Sequence, residues 1–414
     1  MMNKIETKDW TILIYANGNN DLSSIMLKSK ISAEKIGSTK NVNVVMQISR
    51  ESSELLSILK PEALVDNINE YWTGVKRYYI QNPNSKLLAD LGNICMADPN
   101  NLYEFIKWGI ENYPSNHYAL VLSDHGGGFI AAMPDLSQDR PYMMGIYDLC
   151  KAINLIYQDI GVQLEILMFD MCFMNTLEII YELGKEKINT VKSVLTYIKT
   201  GPLEGLNYYK LIKFFDENHN ELNNKLFLKN LIDSLSSNLV ALDIDNDKLI
   251  KLKELVSSMA YFYLKNNNCN SINESLNYTI TKKSFWHMYK IEFEEKLNDI
   301  TIYNNKFLNA KNNTLNVIDL TTKHNVNKEV LSKYEDCYYK LAFAKDNYWF
   351  NLLFDKPIDC KYESSIEEST LNPFKLDRYE LLKIITAVNP SYNEEEKELI
   401  LKRLCAYKKW TNLK

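Results

Sequence analysis

The chain has 414 residues, of which 46% are apolar and 24% are charged, and its formal net charge at pH 7 is −5. This is the composition of an ordinary globular protein, so it excludes collagen-like and coiled-coil chains and disfavours disorder. The negative charge gives no overall attraction to phosphates, and no basic stripe alternates with aromatic residues, so we do not expect a nucleic acid as partner. No apolar run approaches the roughly 18–20 residues that span a bilayer, so we expect no membrane association either.

The cysteines and the amino terminus bear on the cellular compartment. The seven cysteines are scattered along the chain without a Cys-x-x-Cys pair, which argues against a disulfide framework and against a zinc site. The first residues, MMNKIETKDW, lack the apolar segment and the small-residue cleavage site of a secretory signal. The sequence therefore predicts free thiols and a cytoplasmic protein, and it leaves a secreted mature form open.

Short apolar runs alternate with helical patterns along the first half of the chain. Strands are predicted at Trp10–Ala16 and Val42–Ile48, and the pattern permits a helix between them, from Ser23 to Ile36. Both runs lack polar alternation, which is typical of strands buried on two faces. The stretch Tyr71–Ile80 has the pattern of a polar-edged strand or hairpin.

The alternation continues toward residue 195. In chain order the pattern predicts a helix that begins at Asp98-Pro99 and ends at Tyr113-Pro114, a strand at Tyr118–Leu122, a polar loop at Ala131–Tyr142, a helix at Asp148–Asp159, and strands at Leu164–Phe169 and Thr190–Leu195. Repeated strand, helix, strand units favour an α/β fold with a mostly parallel sheet and helices on both faces. In such sheets ligands bind at the carboxyl ends of the strands. Long helical patterns dominate beyond about residue 235, so we predict a core over residues 8–235 and a mainly helical C-terminal domain over residues 236–414.

Two predicted strands end in residues that can carry out chemistry. In 118-YALVLSDHGGGFI-130, His125 follows the strand Tyr118–Leu122, and in 165-EILMFDMCFMNTLEII-180, Cys172 follows the strand Leu164–Phe169. The separation of 47 residues leaves room for one crossover helix, so neighbouring parallel strands would present both side chains at one edge of the sheet. A cysteine nucleophile needs a base or proton donor, and a histidine supplies it.

The neighbours of this pair fit the same chemistry. Gly126 allows close approach of a substrate, and its N–H group together with that of Cys172 could stabilise an oxyanion. Asp170 precedes Cys172 by two residues and is expected at the mouth of the cleft, where a carboxylate would bind a cationic side chain, arginine better than lysine if the geometry is bidentate. Taken singly, each residue also has a structural interpretation: His125 as a loop histidine, Cys172 as a core residue, and Asp170 as a helix N-cap.

Two blocks together resemble the clostripain family of cysteine peptidases, namely 96-MADPNNLYEFIKWGIENYPSNHYALVLSDHGGGF-129 and 167-LMFDMCFMNTLEIIYEL-183. The family's catalytic histidine lies in a strand-end His-Gly-Gly, and its cysteine lies in an Asp-x-Cys-x-Met turn. The opening 10-WTILIYANGNNDL-22 is similar to the family's first strand. The resemblance covers the first half of the chain well and the second half loosely.

The resemblance implies a caspase-like α/β fold and a peptidase core at residues 8–235. It implies an endopeptidase that hydrolyses protein or peptide substrates after Arg, and by extension Lys, through a thioester acyl-enzyme. His125 and Cys172 would be the catalytic dyad, Gly126 and Cys172 would form the oxyanion hole, and Asp170 would line the pocket for the basic side chain. The family requires no third catalytic residue, and none is assigned.

This sequence departs from the family pattern in places that matter for substrates and maturation. Gly18-Asn19-Asn20 stands where Gly-Asp-Asn is usual, which removes a carboxylate near the start of the core. Leu195-Thr196-Tyr197 stands where Ser-Glu or Ser-Gln is common, which alters the expected specificity pocket. Many relatives cut themselves between the histidine and the cysteine, but here the one basic residue of the loop 130-IAAMPDLSQDRPYMMG-145 is Arg140, which precedes Pro141. We therefore predict no self-cleavage after Arg140.

The resemblance also raises the question of calcium, which many members use although the chemistry itself needs no cofactor. The acidic runs Asp243–Asp247 and Glu394–Glu396 are candidate ligands, but such runs are usually solvated faces. Two alternatives to the peptidase stay open. One is a catalytically silent relative that serves as a binding or regulatory module, and the other is a metal-dependent hydrolase that uses Asp124 and His125, for which further ligands at convincing spacing are lacking.

Overall fold

The computed structural model describes residues 7–59, 72–266, 284–304, 318, 320–321, 328–359, 371–388, 391–408 and 410. The strands in these residues are β1 (Lys8–Ala16), β2 (Val42–Arg50), β3 (Gly74–Tyr79), β4 (Lys86–Gly92), β5 (Ser115–Ser123), β6 (Ala131–Asp135), β7 (Tyr142–Gly145), β8 (Leu164–Asp170), β9 (Val191–Tyr197), β10 (Leu239–Asp243), β11 (Thr301–Asn304) and β12 (Phe374–Lys375). Nine of them form one sheet in the order β11-β10-β9-β8-β5-β1-β2-β3-β4, and a small sheet has the order β12-β7-β6.

The centre of the large sheet is parallel and its two edges are antiparallel. The five strands β9, β8, β5, β1 and β2 run parallel to one another. Antiparallel pairs add β3 and β4 at one edge and β10 and β11 at the other. The predicted α/β fold with a mostly parallel sheet is therefore confirmed.

Helices cover both faces of this sheet, as expected for a parallel sheet. They are α1 (Ser23–Glu34), α2 (Ser53–Leu59), α3 (Pro99–Asn112), α4 (Ile146–Ile160), α5 (Leu177–Leu183), α6 (Tyr208–Glu217), α7 (Asn224–Leu235), α8 (Asn246–Asn266), α9 (Ser284–Ile300), α10 (Lys328–Lys333), α11 (Glu335–Lys340), α12 (Tyr348–Leu353), α13 (Arg378–Val388) and α14 (Glu394–Lys408). Within the described residues, no helix combines the length and the apolar character that a membrane crossing requires.

The strand β1 shows why the apolar runs of the sequence lack polar alternation. Ile12 and Ile14 pack into the core on the face of α1, α6 and α7, whereas Leu13 and Tyr15 pack into the core on the face of α3, α4 and α5. All four side chains are fully buried, so both faces of the strand must be apolar.

Most element boundaries follow from local signals. Helix α3 begins where Asp98-Pro99 predicts, because the Asp98 carboxylate accepts a hydrogen bond from the Asn100 N–H at 2.9 Å. The predicted polar loop at Ala131–Tyr142 is wrong in part, since its first residues form β6, and β6 pairs with β7 in an antiparallel hairpin. Cross-strand partners, which a local pattern does not reveal, stabilise that strand.

The part of the chain beyond residue 235 continues the same sheet and core. Strand β10 pairs with β9, and buried residues of α8 and α12 belong to the core that contains α4 and α5. Two acids of α5 bind this second part directly. Glu178 accepts hydrogen bonds from the Thr321 N–H at 2.9 Å and the Tyr338 hydroxyl at 3.0 Å, and Glu182 accepts one from the Ala342 N–H at 2.6 Å.

These contacts predict the effect of Tyr338→Phe. Burial raises the pKa of Glu178, and the hydrogen bond from the Tyr338 hydroxyl counteracts that rise. Loss of this hydroxyl therefore removes a hydrogen-bond donor from a buried acid. We expect the free energy of unfolding to fall by about 1–3 kcal/mol, measured by urea denaturation. Tyr209→Phe, at a half-exposed tyrosine on α6, is the matched control. Equal stability of the two variants would contradict the importance of this contact.

Candidate active site

The register of the parallel strands determines where the site lies. In the sheet Ser123 of β5 is opposite Asp170 of β8, and Ala16 of β1 is opposite Ser123. His125 and Cys172 therefore each follow a paired residue by two positions, at the carboxyl ends of adjacent strands. This is the placement that the sequence predicts from strand ends alone.

Both side chains line one cleft with a volume of about 550 Å³. Its first wall comes from the loops after β1, β5 and β8, its floor includes residues near the end of β9, and its second wall comes from the C-terminal third of the chain. The residues of this cleft used below are Asp124, His125, Gly126, Ile130, Asp170, Cys172, Tyr197, Gly201, Glu204, Gly205, Tyr334, Glu380, Lys383 and Ile384.

A carboxylate orients the histidine. His125 Nε2 lies 2.9 Å from Asp21 Oδ1, and the Asp21 side chain is only 2% exposed whereas that of His125 is 29% exposed. Asp21 follows β1, directly after the Gly18-Asn19-Asn20 departure from the family pattern. The carboxylate that this departure lacks at position 19 is distinct from Asp21, and Asp21 supplies the carboxylate that contacts His125.

The Cys172 loop is held by backbone hydrogen bonds from the segment after β9. The Gly201 N–H donates to Cys172 Sγ at 3.4 Å, and the Phe173 N–H donates to the Lys199 carbonyl at 2.7 Å. Phe173 has a positive φ of 61°, a conformation that is rare for a residue with a side chain. The turn thus places the sulfur in the cleft at the cost of local backbone strain.

Gly126 contacts the backbone of the cysteine. A Cβ atom at position 126 would lie 2.1 Å from the Cys172 carbonyl oxygen, so the close approach requires glycine. In the part of the chain that the structure describes, the N–H groups of Gly126 and Cys172 donate no hydrogen bond. Both donors of the predicted oxyanion hole therefore belong to residues that line the cleft and have no acceptor among the described residues.

Asp170 lies below the cleft rather than at its mouth. Oδ1 accepts hydrogen bonds from the Tyr197 hydroxyl at 2.8 Å and the Leu206 N–H at 2.9 Å. Oδ2 accepts from the Ser123 hydroxyl at 2.9 Å and the Tyr208 hydroxyl at 3.0 Å. Burial raises the pKa of Asp170, and these four donors counteract that rise. A carboxylate has about four acceptor sites, so those of Asp170 are filled.

Asp124, the metal-ligand alternative, is buried and engaged with two asparagine amides. Its oxygens accept hydrogen bonds from the side-chain amides of Asn17 at 2.5 Å and Asn20 at 2.8 Å. Burial raises the pKa of Asp124 to about 8, and His125 opposes the rise. Among the described residues there is no group of three or more His, Cys, Asp or Glu side chains that could hold a metal ion. The observed cluster gives the metal-hydrolase alternative no support.

The two acidic runs considered for calcium are engaged with lysines. Lys248 Nζ lies 3.0 Å from Asp243 Oδ2 and 3.5 Å from Asp245 Oδ2. In the second run Lys397 Nζ lies 2.7 Å from Glu394 Oε1. Asp243, Asp245 and Glu394 therefore each have a lysine partner.

The bond after Arg140 lies directly before strand β7 of the small sheet. The Leu376 N–H donates to the Pro141 carbonyl at 3.1 Å, and β12 pairs with β7 just beyond, through Lys375 and Tyr142. A peptide that is held in a sheet is a poor substrate because it must detach before it can enter a cleft. The absence of self-cleavage after Arg140 stays a prediction.

Comparison with known proteins decides the family. The sequence model described as Clostripain family matches residues 14–356, which is most of the chain. The chain belongs to the clostripain family. This confirms the resemblance and the enzyme class predicted from the sequence, that of a cysteine peptidase. A search of curated proteins gave no match.

Solved structures of family members share the fold at low sequence identity. An inactive zymogen C11 protease from Parabacteroides distasonis is 15% identical, with a TM-score of 0.57 over 83% of this chain and 99% of its own. The secreted C11 cysteine protease iotapain from Bacteroides thetaiotaomicron is 13% identical, with a TM-score of 0.56 over 82% of this chain and 99% of its own. A further structure from Bacteroides thetaiotaomicron, of a secreted C11 cysteine protease with an irreversible peptide inhibitor, is 14% identical, with a TM-score of 0.51 over 72% of this chain and 84% of its own. The caspase-like fold is thereby confirmed.

The contact at Gly126 predicts the effect of Gly126→Ala. The added Cβ would meet the Cys172 carbonyl oxygen, so the cysteine loop must shift. We expect kcat/KM toward peptides to fall by about 100-fold, the effect of a displacement of about 1 Å in an active site. Gly145→Ala is the control, because a Cβ there meets nothing closer than 3.4 Å. A fully active Gly126→Ala enzyme would show that the contact does not position the cysteine.

Proposed function

We propose that this clostripain-family peptidase hydrolyses peptide bonds through a Cys172 and His125 dyad, with Asp21 as the residue that positions the imidazole. The observation that carries the proposal is the convergence, in one cleft, of a thiol, an imidazole held by a buried carboxylate, and two unengaged backbone donors. These are the parts that acyl transfer by a cysteine nucleophile requires.

The chemistry follows from these parts. His125 takes the proton of the Cys172 thiol, and the resulting thiolate attacks the carbonyl carbon of the scissile bond while the carbonyl π electrons move to the oxygen. The N–H groups of Gly126 and Cys172 stabilise that oxyanion. His125 then donates a proton to the departing amine, the C–N bond breaks, and a thioester remains. Water attacks the thioester while His125 accepts its proton, and the carboxylic product and the thiol are released.

Asp21 determines which imidazole nitrogen takes part. Because Nε2 is hydrogen-bonded to Asp21 Oδ1, this nitrogen carries the proton in the neutral ring. Nδ1 is then the atom that would exchange a proton with the substrate. The nearly complete burial of the Asp21 side chain keeps water from competing for that bond. The expected consequence is a fixed tautomer and a fixed ring orientation.

For the residue before the scissile bond we propose Arg or Lys. The acids that line the cleft are Asp124, Asp170, Glu204 and Glu380. The oxygens of Asp124, Asp170 and Glu380 accept hydrogen bonds or ion pairs within the protein, whereas Glu204 is exposed. An arginine fork needs two free oxygens on one carboxylate, whereas an ammonium group can bind single oxygens. The exposed carboxylate of Glu204 is therefore the group that we propose to bind the basic side chain.

The proposal is tested with purified full-length protein and fluorogenic peptides that carry Lys, Arg, Leu or Asp before the scissile bond, with and without calcium. We expect cleavage after Lys and Arg only. Cys172→Ala should be inactive, and His125→Ala should lose about 10²–10⁴-fold in kcat. Asp21→Asn should lower kcat about 10–100-fold, less than loss of the histidine itself, with KM little changed.

The chain contains a matched control for the Asp21 and His125 pair. Asp9 Oδ2 lies 2.6 Å from His219 Nδ1, in a pair of the same chemistry that does not line the cleft. Asp9→Asn and His219→Ala should therefore leave kcat unchanged, and Cys150→Ala is the control for the thiol. Full activity of Cys172→Ala would contradict the dyad. A folded wild type that cuts no peptide would contradict the proposal and favour the silent binding module.

Family membership gives peptides as the substrate class, whereas the location of the enzyme stays a prediction. The five described cysteines, namely Cys95, Cys150, Cys172, Cys337 and Cys405, are all free thiols. Free thiols support the reducing, cytoplasmic compartment that the sequence predicts. A disulfide found by mass spectrometry in protein isolated from its native source would contradict that location.

A further inference from the structure

The second wall of the catalytic cleft comes from a helix beyond the residues that match the family. Glu380, Lys383 and Ile384 of α13 line the cleft together with Tyr334. The family match ends at residue 356, so α13 lies outside it. The family pattern therefore provides no expectation for what this wall binds.

Helix α13 is held firmly against the peptidase core. Its residues Leu381 and Ile385 are fully buried, in a cluster with Leu136 from the chain after β6 and with residues of α2 and α14. Just before the helix, β12 pairs with β7. Positions 380, 383 and 384 are three and four residues apart, so they share the other face of α13, toward the cleft. The wall is thus a fixed surface.

The acids at this wall already have a partner. Lys333 Nζ forms ion pairs with Asp377 and with Glu380. The other oxygen of Glu380, Oε2, accepts a hydrogen bond from the Asp377 N–H at 2.9 Å. Glu380 is 6% exposed, so its carboxylate is both satisfied and covered. Lys333 offsets one of these two negative charges, and Lys383 is the other cation of this wall.

Lys383 contacts aromatic rings. Its Nζ lies 4.3 Å from the ring centroid of Tyr379 and 5.9 Å from that of Tyr334, and among the described residues no carboxylate forms an ion pair with it. Partial burial lowers the pKa of Lys383, with Glu380 opposing that effect. A partly desolvated cation that faces an open cleft gains from an anionic partner.

We propose that Lys383 forms a substrate subsite that binds the side-chain carboxylate of an Asp or Glu residue, at one position of the peptide other than the residue before the scissile bond. This subsite rests on the proposed function, since it selects among peptides that the Cys172 site cleaves. The preferred peptide then carries both charges: a basic side chain near Asp170 and Glu204, and an acidic side chain at Lys383.

The test uses a parent peptide with Lys before the scissile bond, blocked at both ends. Each other position, from four residues before to four after the cleaved bond, carries Glu or Gln in turn. For the full-length wild type we expect one position at which Glu raises kcat/KM about tenfold over Gln, a factor that corresponds to about 1.4 kcal/mol. In Lys383→Met, which keeps the length of the side chain, the Glu to Gln ratio should fall to about one. Lys383→Arg should restore the ratio.

Charge reversal and a matched lysine complete the design. Lys383→Glu should reverse the selection at the same position, so that Lys is preferred over Gln, a gain that a merely unfolded variant cannot produce. Lys402→Met, at an exposed lysine of α14 that does not line the cleft, should behave as the wild type. Peptides with a free C-terminal carboxylate and Gln at every scanned position form a separate arm.

The outcomes separate this subsite from the proposed function. Cleavage by the wild type with the same Glu to Gln ratios in wild type and Lys383→Met would overturn the subsite and leave the peptidase proposal in place. A rate gain that depends on Lys383 and appears only in the peptides with a free C-terminal carboxylate would overturn the side-chain assignment. A folded wild type that cuts none of the peptides would overturn the proposed function itself.

Discussion

One buried carboxylate joins the segments on which the cleft depends. Asp170 receives hydrogen bonds from Ser123 at the end of β5, from Tyr197 at the end of β9, and from Leu206 and Tyr208 in the segment that leads into α6. Burial of a charge without partners would be costly, so all three segments must be in place for the carboxylate to be tolerated. Cys172 lies two residues further along, and its position follows from this arrangement.

The same segments also provide the contacts of the sulfur. The chain between Tyr197 and Leu206 contributes the Gly201 N–H to Cys172 Sγ and the Lys199 carbonyl to the Phe173 N–H. Gly205 lies against the carboxylate, since a Cβ there would be 2.7 Å from Asp170 Oδ2. Asp170 therefore stabilises the cysteine turn directly, and any influence on substrates acts through Tyr197 or through its charge. The hydrogen bonds of Asp170 therefore define its role in the fold more directly than any role in substrate specificity.

The sequence predicts the fold and the two central residues for a clear reason. Apolar runs that end in His125 and Cys172 identify strand ends, and parallel strands align those ends at one edge. Asp21 could have been found by the same rule, because it follows the end of β1 by five residues. The partners of Asp170 could not have been found in this way, since they depend on the paths of loops. The wall formed by Lys383 could not either, since it depends on contacts between residues more than 200 positions apart. Local periodicity contains no information about such contacts.

The central claim is that the thiol of Cys172 is the nucleophile of this cleft. The most direct measurement is covalent labelling of the full-length wild type with a chloromethyl ketone peptide that ends in Lys, followed by mass spectrometry of the digested protein. The account predicts alkylation of Cys172, which is abolished in Cys172→Ala and strongly slowed in His125→Ala. Cys95 and Cys337 should stay unlabelled. Burial raises the pKa of the Cys95 thiol well above its usual range and that of the Cys337 thiol to about 11. Label on another cysteine, or equal labelling of His125→Ala, would contradict it.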